Sequence, residues 1–122
     1  MVQTVLLVDD NPVQLATRQL VLNQAGMQVQ IATSAASALA LLRSPSAGTQ
    51  IGTIVTDHIM PEATGAEFIR MLREVNSTVP VIVISGLAEA EEEYTGLNVT
   101  FRQKPFPPGE LIALVKKSLT GK

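Results

Sequence analysis

Four apolar stretches of the chain end on polar side chains that could do chemistry together. Val2 to Val8 stops at Asp9 and Asp10, Ile51 to Thr56 at Asp57, Pro80 to Ile84 at Ser85, and Val99 to Arg102 leads to Lys104. The set is three carboxylic acids, one hydroxyl and one ammonium. Carboxylates forced together raise one another's pKa unless a cation neutralises them. No arginine cluster is evident beside them in the sequence, so a hard divalent cation is the natural solution. Oxygen ligands with few protein contacts favour Mg²⁺, which keeps several of its waters. A metal ion with a lysine and a hydroxyl beside it suits a phosphoryl group, whose oxygens the cations neutralise and the hydroxyl binds. The chain has no cysteine, and its one histidine, His58, lies beside Asp57. The most accessible nucleophile is therefore a carboxylate, and its product with phosphate is an acyl phosphate.

Such a set works only if separate strands deliver it to one edge. Val2 to Val8 is rich in β-branched and aliphatic residues, as a buried strand is. Asn11-Pro12 then supplies an N-cap and a first-turn proline for a helix carrying Leu15, Leu22 and Ala25 on one side, with Gly26 to end it. Met27 to Ala32 reads as a second strand, followed by Thr33 and by Ser34, a cap for a helix with the stripe Ala35, Ala38, Leu39 and Leu42. Ser44 to Gln50 contains Pro45 and Gly48 and reads as a loop. After the strand ending at Asp57, a helix is expected at about Ala63 to Val75, with Phe68, Ile69, Leu72 and Val75 facing inward. Pro80 to Ile84 is as apolar as a central parallel strand. Ala88 to Tyr94 reads as a short acidic helix, Val99 to Arg102 as the fifth strand, and a last helix from Pro108 presents Leu111, Leu114, Val115 and Leu119. Five strands alternating with five helices imply a doubly wound α/β domain, a parallel sheet covered on both faces. Every strand-to-helix turn then lies on the same edge, where open α/β sheets bind ligands.

Composition agrees with this class. The chain has 122 residues, 46% of them hydrophobic and 16% charged, enough for a core and unlike a disordered segment. It is expected to be one domain over residues 1–122. Its apolar runs are too short to span a membrane, and the start Met1-Val2-Gln3-Thr4 lacks the basic residues of a signal peptide. The lack of cysteine fits a reducing cytoplasm. A formal charge of −2 gives no reason to expect direct contact with nucleic acid, for which a basic face would be wanted.

Asp9-Asp10, Asp57-His58-Ile59-Met60-Pro61 with Gly65, Ser85-Gly86 and Lys104-Pro105-Phe106, in that order and at these spacings, resemble the response regulator receiver domain over essentially the whole chain. The resemblance implies a flavodoxin-like, five-stranded sheet of order 2-1-3-4-5. It implies Asp57 as the phosphoacceptor, charged by a phosphohistidine on a histidine kinase or histidine phosphotransfer domain. Asp10 and Asp57 would bind Mg²⁺ through side chains, Ile59 through its backbone carbonyl, and Asp9 through water. Lys104 would pair with a phosphoryl oxygen, with a cis bond to Pro105. Ser85 would hydrogen-bond the phosphoryl group, and Phe101 would occupy the switch-aromatic position, so that phosphorylation changes the surface of helix four, strand five and helix five. The signal would pass to a downstream protein or a fused output domain. Such a domain assists its own phosphorylation and dephosphorylation and turns over no separate substrate.

The remaining residues have plainer readings. His58 is expected to be an exposed loop residue, Thr56 a strand residue, and Glu89, Glu91, Glu92 and Glu93 a solvated helix face. Tyr94 is expected to pack without a switch role, and Phe106 belongs equally to the core or to a docking patch. Aliphatic Ile59 and Leu87 stand where amide or acidic side chains would position an attacking water, so slow self-dephosphorylation is expected. The interval from Ser85 to Lys104 is about one helical turn short for the family, so the fourth helix should be short or its preceding loop tight. That shortening also weakens the expectation of dimers through the helix four, strand five and helix five face. A haloacid dehalogenase-type phosphatase would need a second Asp two residues after its nucleophile, where this chain has Asn11 or Pro12. A flavin-binding module would need a hydroxyl-rich loop where Asp9 and Asp10 stand. A receiver-like domain unable to accept phosphate would not need the full set of acids and Lys104.

Overall fold

The structure is a computed structural model that describes residues 3–44, 50–58 and 63–120. Val2, Pro45, Gly48, Ile59, Met60 and Pro61, singled out above, lie outside the described residues.

Five parallel strands form one sheet in the order β2-β1-β3-β4-β5, as the resemblance implied. They are β1 (Thr4–Val8), β2 (Gln28–Ala32), β3 (Ile51–Asp57), β4 (Val81–Ser85) and β5 (Thr100–Gln103). Among the described residues, four α-helices, α1 (Pro12–Gln24), α2 (Ala35–Arg43), α3 (Gly65–Val75) and α4 (Pro108–Thr120), and a 3₁₀ helix (Ala88–Tyr94) connect or follow them.

The apolar strands are buried on both faces because helices cover both. Side chains two apart share a face. Leu6, Val8, Ile54, Val81 and Val83 therefore pack with α2, α3 and Tyr94. Val5, Leu7, Val55, Ile82 and Ile84 pack with α1 and α4 through Leu15, Leu22, Leu111 and Val115. Phe68 is fully buried in the first layer, and truncating such a side chain to Ala costs about 3–5 kcal/mol.

Local signals set the helix ends. Asn11 accepts hydrogen bonds from Val13 N and Gln14 N, with Pro12 at the first helical position. Gly26, at φ +90°, takes the left-handed turn after α1. Ser34–Ser37 and Thr64–Glu67 are reciprocal capping boxes at α2 and α3. Val75 departs from expectation, being 38% exposed. It keeps the spacing of the Phe68 and Leu72 face, but it is the last residue of α3 and has no further turn to press it onto the sheet.

The acidic helix has the expected bounds but winds as 3₁₀. No side chain caps its start at Leu87, and the Ala90 N–H bonds back to Leu87 O, three residues earlier. Seven residues span about 14 Å as 3₁₀ and about 10 Å as α-helix, so the tighter winding covers more of a shortened crossover. Among the described residues, no helix is long and apolar enough to cross a membrane.

Candidate functional site

Because all five strands are parallel, their carboxyl ends share an edge, and register aligns the reactive residues along it. Val8 pairs with Thr56 across β1 and β3, Asp57 with Ile84 across β3 and β4, and Ser85 with Gln103 across β4 and β5. Asp9, Asp10, Asn11, Gln14, Asp57, Ser85, Gly86, Leu87 and Lys104 line a cleft of about 400 Å³ at this edge.

Asp57 is 8% exposed, and both of its oxygens are engaged. Oδ1 accepts the backbone N–H of His58 at 2.8 Å, and Oδ2 accepts Lys104 Nζ at 2.9 Å. The lysine is held in turn by its backbone N–H donating to Ser85 O at 2.7 Å and by its ammonium donating to Gln14 Oε1 at 3.3 Å. Its bond to Pro105 is cis, as the resemblance implied. Ser85 is 1% exposed, and its Oγ accepts the Leu87 N–H at 3.0 Å, leaving the hydroxyl proton to donate elsewhere.

Asp9 is also 1% exposed; it accepts the Asn11 N–H at 2.9 Å and Arg18 Nη1 at 3.3 Å. Burial raises its pKa, and the Asp57 charge adds to the rise against the lowering effects of the Asn11 N–H, Arg18 and Lys104. Asp10 is exposed at the mouth of the cleft. Among the described residues, three carboxylates thus face two cations, and negative charge is left over.

That imbalance, with an all-oxygen donor set, fits a hard divalent cation. Among the described residues, no three acidic or histidine side chains are gathered closely enough to enclose an ion by themselves. An ion here would draw on water and backbone oxygen as well, as Mg²⁺ prefers. The Ile59 carbonyl expected to contribute lies outside the described residues.

The other site residues divide. Phe101 does not line the cleft; it is half-buried, 5.8 Å from the Tyr94 ring. His58 is not the exposed loop residue expected, because it is 4% exposed and its Nδ1 lies 2.7 Å from Tyr94 Oη. Tyr94 therefore does more than pack. The four glutamates of the 3₁₀ helix are exposed as expected, with Glu93 Oε2 3.6 Å from His58 Nε2. Thr56 is a buried strand residue whose hydroxyl donates to Asp57 O.

Gln14 and Arg18 were missed. The absence of an arginine cluster led away from a single arginine, yet Asn11, Gln14 and Arg18 follow helical spacing on the face of α1 turned to the cleft. Beside it, Val13, Val21, Ile84, Pro105, Phe106 and Leu111 help line an apolar cavity of about 520 Å³. Among the described residues no acid lines that cavity, so the carboxylate chemistry belongs to the smaller cleft.

Residues 5–116 match the family described as the response regulator receiver domain. The chain is 32% identical over 117 residues to an alkaline phosphatase synthesis transcriptional regulatory protein of Synechococcus elongatus, covering 89% of this chain and 46% of that protein. It is 34% identical over 119 residues to a C4-dicarboxylate transport transcriptional regulatory protein of Pseudomonas aeruginosa, covering 94% of this chain and 25% of that one. It therefore spans half or less of the length of these two relatives. A response regulator receiver protein of Pseudomonas putida superposes with a TM-score of 0.86 at 31% identity, over 96% of this chain and 98% of that one. With its fold, the edge that carries its acids and these matches in agreement, the chain belongs to the response regulator receiver domain family, the receiver modules of two-component signalling.

Proposed function

We propose that Asp57 accepts a phosphoryl group in a Mg²⁺-dependent reaction and that the domain changes conformation in response. The observation that carries this reading is the Lys104–Asp57 contact at 2.9 Å, in a cleft that also receives Asp9, Asp10 and Ser85 from separate turns.

A carboxylate oxygen of Asp57 attacks the phosphorus of a phosphohistidine on a histidine kinase or phosphotransfer domain. The P–O bond forms as the P–N bond breaks, and the imidazole nitrogen leaves with the electron pair. Lys104 then transfers its ammonium from the carboxylate to a phosphoryl oxygen, and Ser85 turns its free hydroxyl proton toward another. Asp10, Asp57 and the Ile59 carbonyl would hold Mg²⁺, with Asp9 reaching it through water. When bound, the metal supplies positive charge that neutralises the phosphoryl oxygens.

Ser85 is buried, so its movement displaces neighbours, and Phe101 is the aromatic placed to respond. Phosphorylation can shift that equilibrium only by binding one arrangement better than the other. The domain turns over no separate substrate and acts in the cytoplasm. It passes its state to a downstream protein or a fused output domain, and it contacts neither nucleic acid nor membrane directly. Incubation with acetyl phosphate and Mg²⁺ followed by intact mass measurement tests the reading. Wild type is expected to gain one phosphoryl group, and Asp57→Asn and metal-free samples none. A wild type that stays unlabelled, and unperturbed by beryllofluoride, contradicts it.

A further inference from the structure

His58 and Tyr94 have no part in the chemistry above, yet they are joined to its centre. The His58 N–H donates to Asp57 Oδ1, and the His58 carbonyl accepts the Gly65 N–H at 2.6 Å. Its imidazole meets the Tyr94 ring edge-on, with centroids 5.6 Å apart. Tyr94 is 4% exposed, so water cannot readily take over its hydrogen bond with His58. A Cβ on Gly65 would collide with Tyr94 Oη and stand 2.9 Å from Asp57 O. The space that glycine leaves at position 65 is the space the hydroxyl occupies.

Donor and acceptor roles follow from the surroundings. Burial, then the charges of Glu93 and Asp57, push the Tyr94 pKa up, so its hydroxyl keeps its proton. Glu93 beside Nε2 favours the ring proton there, leaving Nδ1 to accept from Tyr94.

We propose that the His58–Tyr94 hydrogen bond is a second line from Asp57 to the 3₁₀ helix and β5, with His58 as the positioning residue. The inference rests on Asp57 being the phosphoacceptor. Conversion of the carboxylate to an acyl phosphate removes charge from the group that accepts the His58 N–H, and that bond loses its charge assistance. The peptide unit of His58 shifts and carries the imidazole with it. Tyr94 follows through its hydroxyl and moves both its contact with Phe101 and the acidic turn before it. Ser85 reaches the start of the same segment through the Leu87 N–H that its Oγ accepts. Two lines therefore converge on a segment shorter than a normal fourth helix.

The sequence makes this testable, because Tyr94 is the chain's one tyrosine and there is no tryptophan. Acetyl phosphate with Mg²⁺ is added while intact mass reports the adduct. Tyrosine emission and the amide NMR shifts of residues 88–94 report the relay. Phosphorylated wild type is expected to change in both. His58→Phe is expected to form the adduct but lose most of the emission change. Tyr94→Phe, which removes only the hydroxyl, is expected to form the adduct but lose most of the amide shifts. A full adduct with unchanged emission and amide shifts in wild type overturns the relay and leaves the phosphoacceptor standing. Retention of the full emission change in His58→Phe also overturns it, because Phe101 would then suffice to move Tyr94. No adduct at all overturns both.

Discussion

The Asp57 cleft and the guanidinium of Arg73 lie at opposite ends of β4 and β5, and they handle charge in opposite ways. Arg73 leaves α3 and donates to the carbonyls of Val79 at 2.7 Å, Asn98 at 2.9 Å, Leu97 at 3.0 Å and Asn76 at 3.4 Å. These carbonyls belong to the segments entering β4 and β5. Burial lowers its pKa, but it is satisfied by neutral acceptors and needs nothing from solution. At the carboxyl ends of the strands, three acids face two cations, and one of those cations bonds to the proposed nucleophile. A closed arrangement of this kind holds strands in place. An open one has capacity left for a metal ion and a phosphoryl group.

Substitutions can break this contrast from either end. Arg73→Met leaves four carbonyls without their donor, that of buried Val79 among them, and is expected to cost roughly 1–3 kcal/mol in urea unfolding, while folded molecules still label with acetyl phosphate. Arg73→Lys should recover only part of that, since an ammonium cannot reproduce the planar fork. Gly65→Ala, on the side of the cleft facing Tyr94, should cost roughly 1–3 kcal/mol through overpacking, and Tyr94→Phe should restore part of the loss. Lys104→Met should show the reverse profile. Its side chain is 30% exposed, so the pair is worth roughly 0–1 kcal/mol of stability, but labelling should slow markedly. Leu87→Glu is expected to have the smallest effect, a shorter phosphoryl lifetime at unchanged stability, read as loss of the mass adduct over time.

The sequence made the closed parts of the fold legible. Burial on both faces follows directly from unbroken runs such as Thr4–Val8 and Val81–Ser85, and caps at Asn11 and Ser34 are local chemistry. The cleft was legible for a topological reason, since parallel strands must present Asp9, Asp57, Ser85 and Lys104 on one edge. Long-range pairs were not. His58 and Tyr94 are 36 residues apart, and nothing near His58 in the chain announces a buried ring. Arg73 is similarly tied to carbonyls 24 and 25 residues away. Arg18 had a usable signal in its helical spacing from Gln14, but a lone arginine on a helix reads in sequence like any solvated one. Winding of the acidic segment as 3₁₀ depends on the distance it must cover, which composition does not encode.

The central claim is that this cleft, whose excess negative charge calls for a divalent cation, directs a phosphoryl group to Asp57, the acid paired with Lys104. Its most direct test is site-resolved mass spectrometry of the wild-type chain after acetyl phosphate and Mg²⁺. The prediction is a single phosphoryl group on the peptide containing Asp57, removed by hydroxylamine as an acyl phosphate must be. A modification on Asp9 or Asp10, or one that survives hydroxylamine, would contradict it.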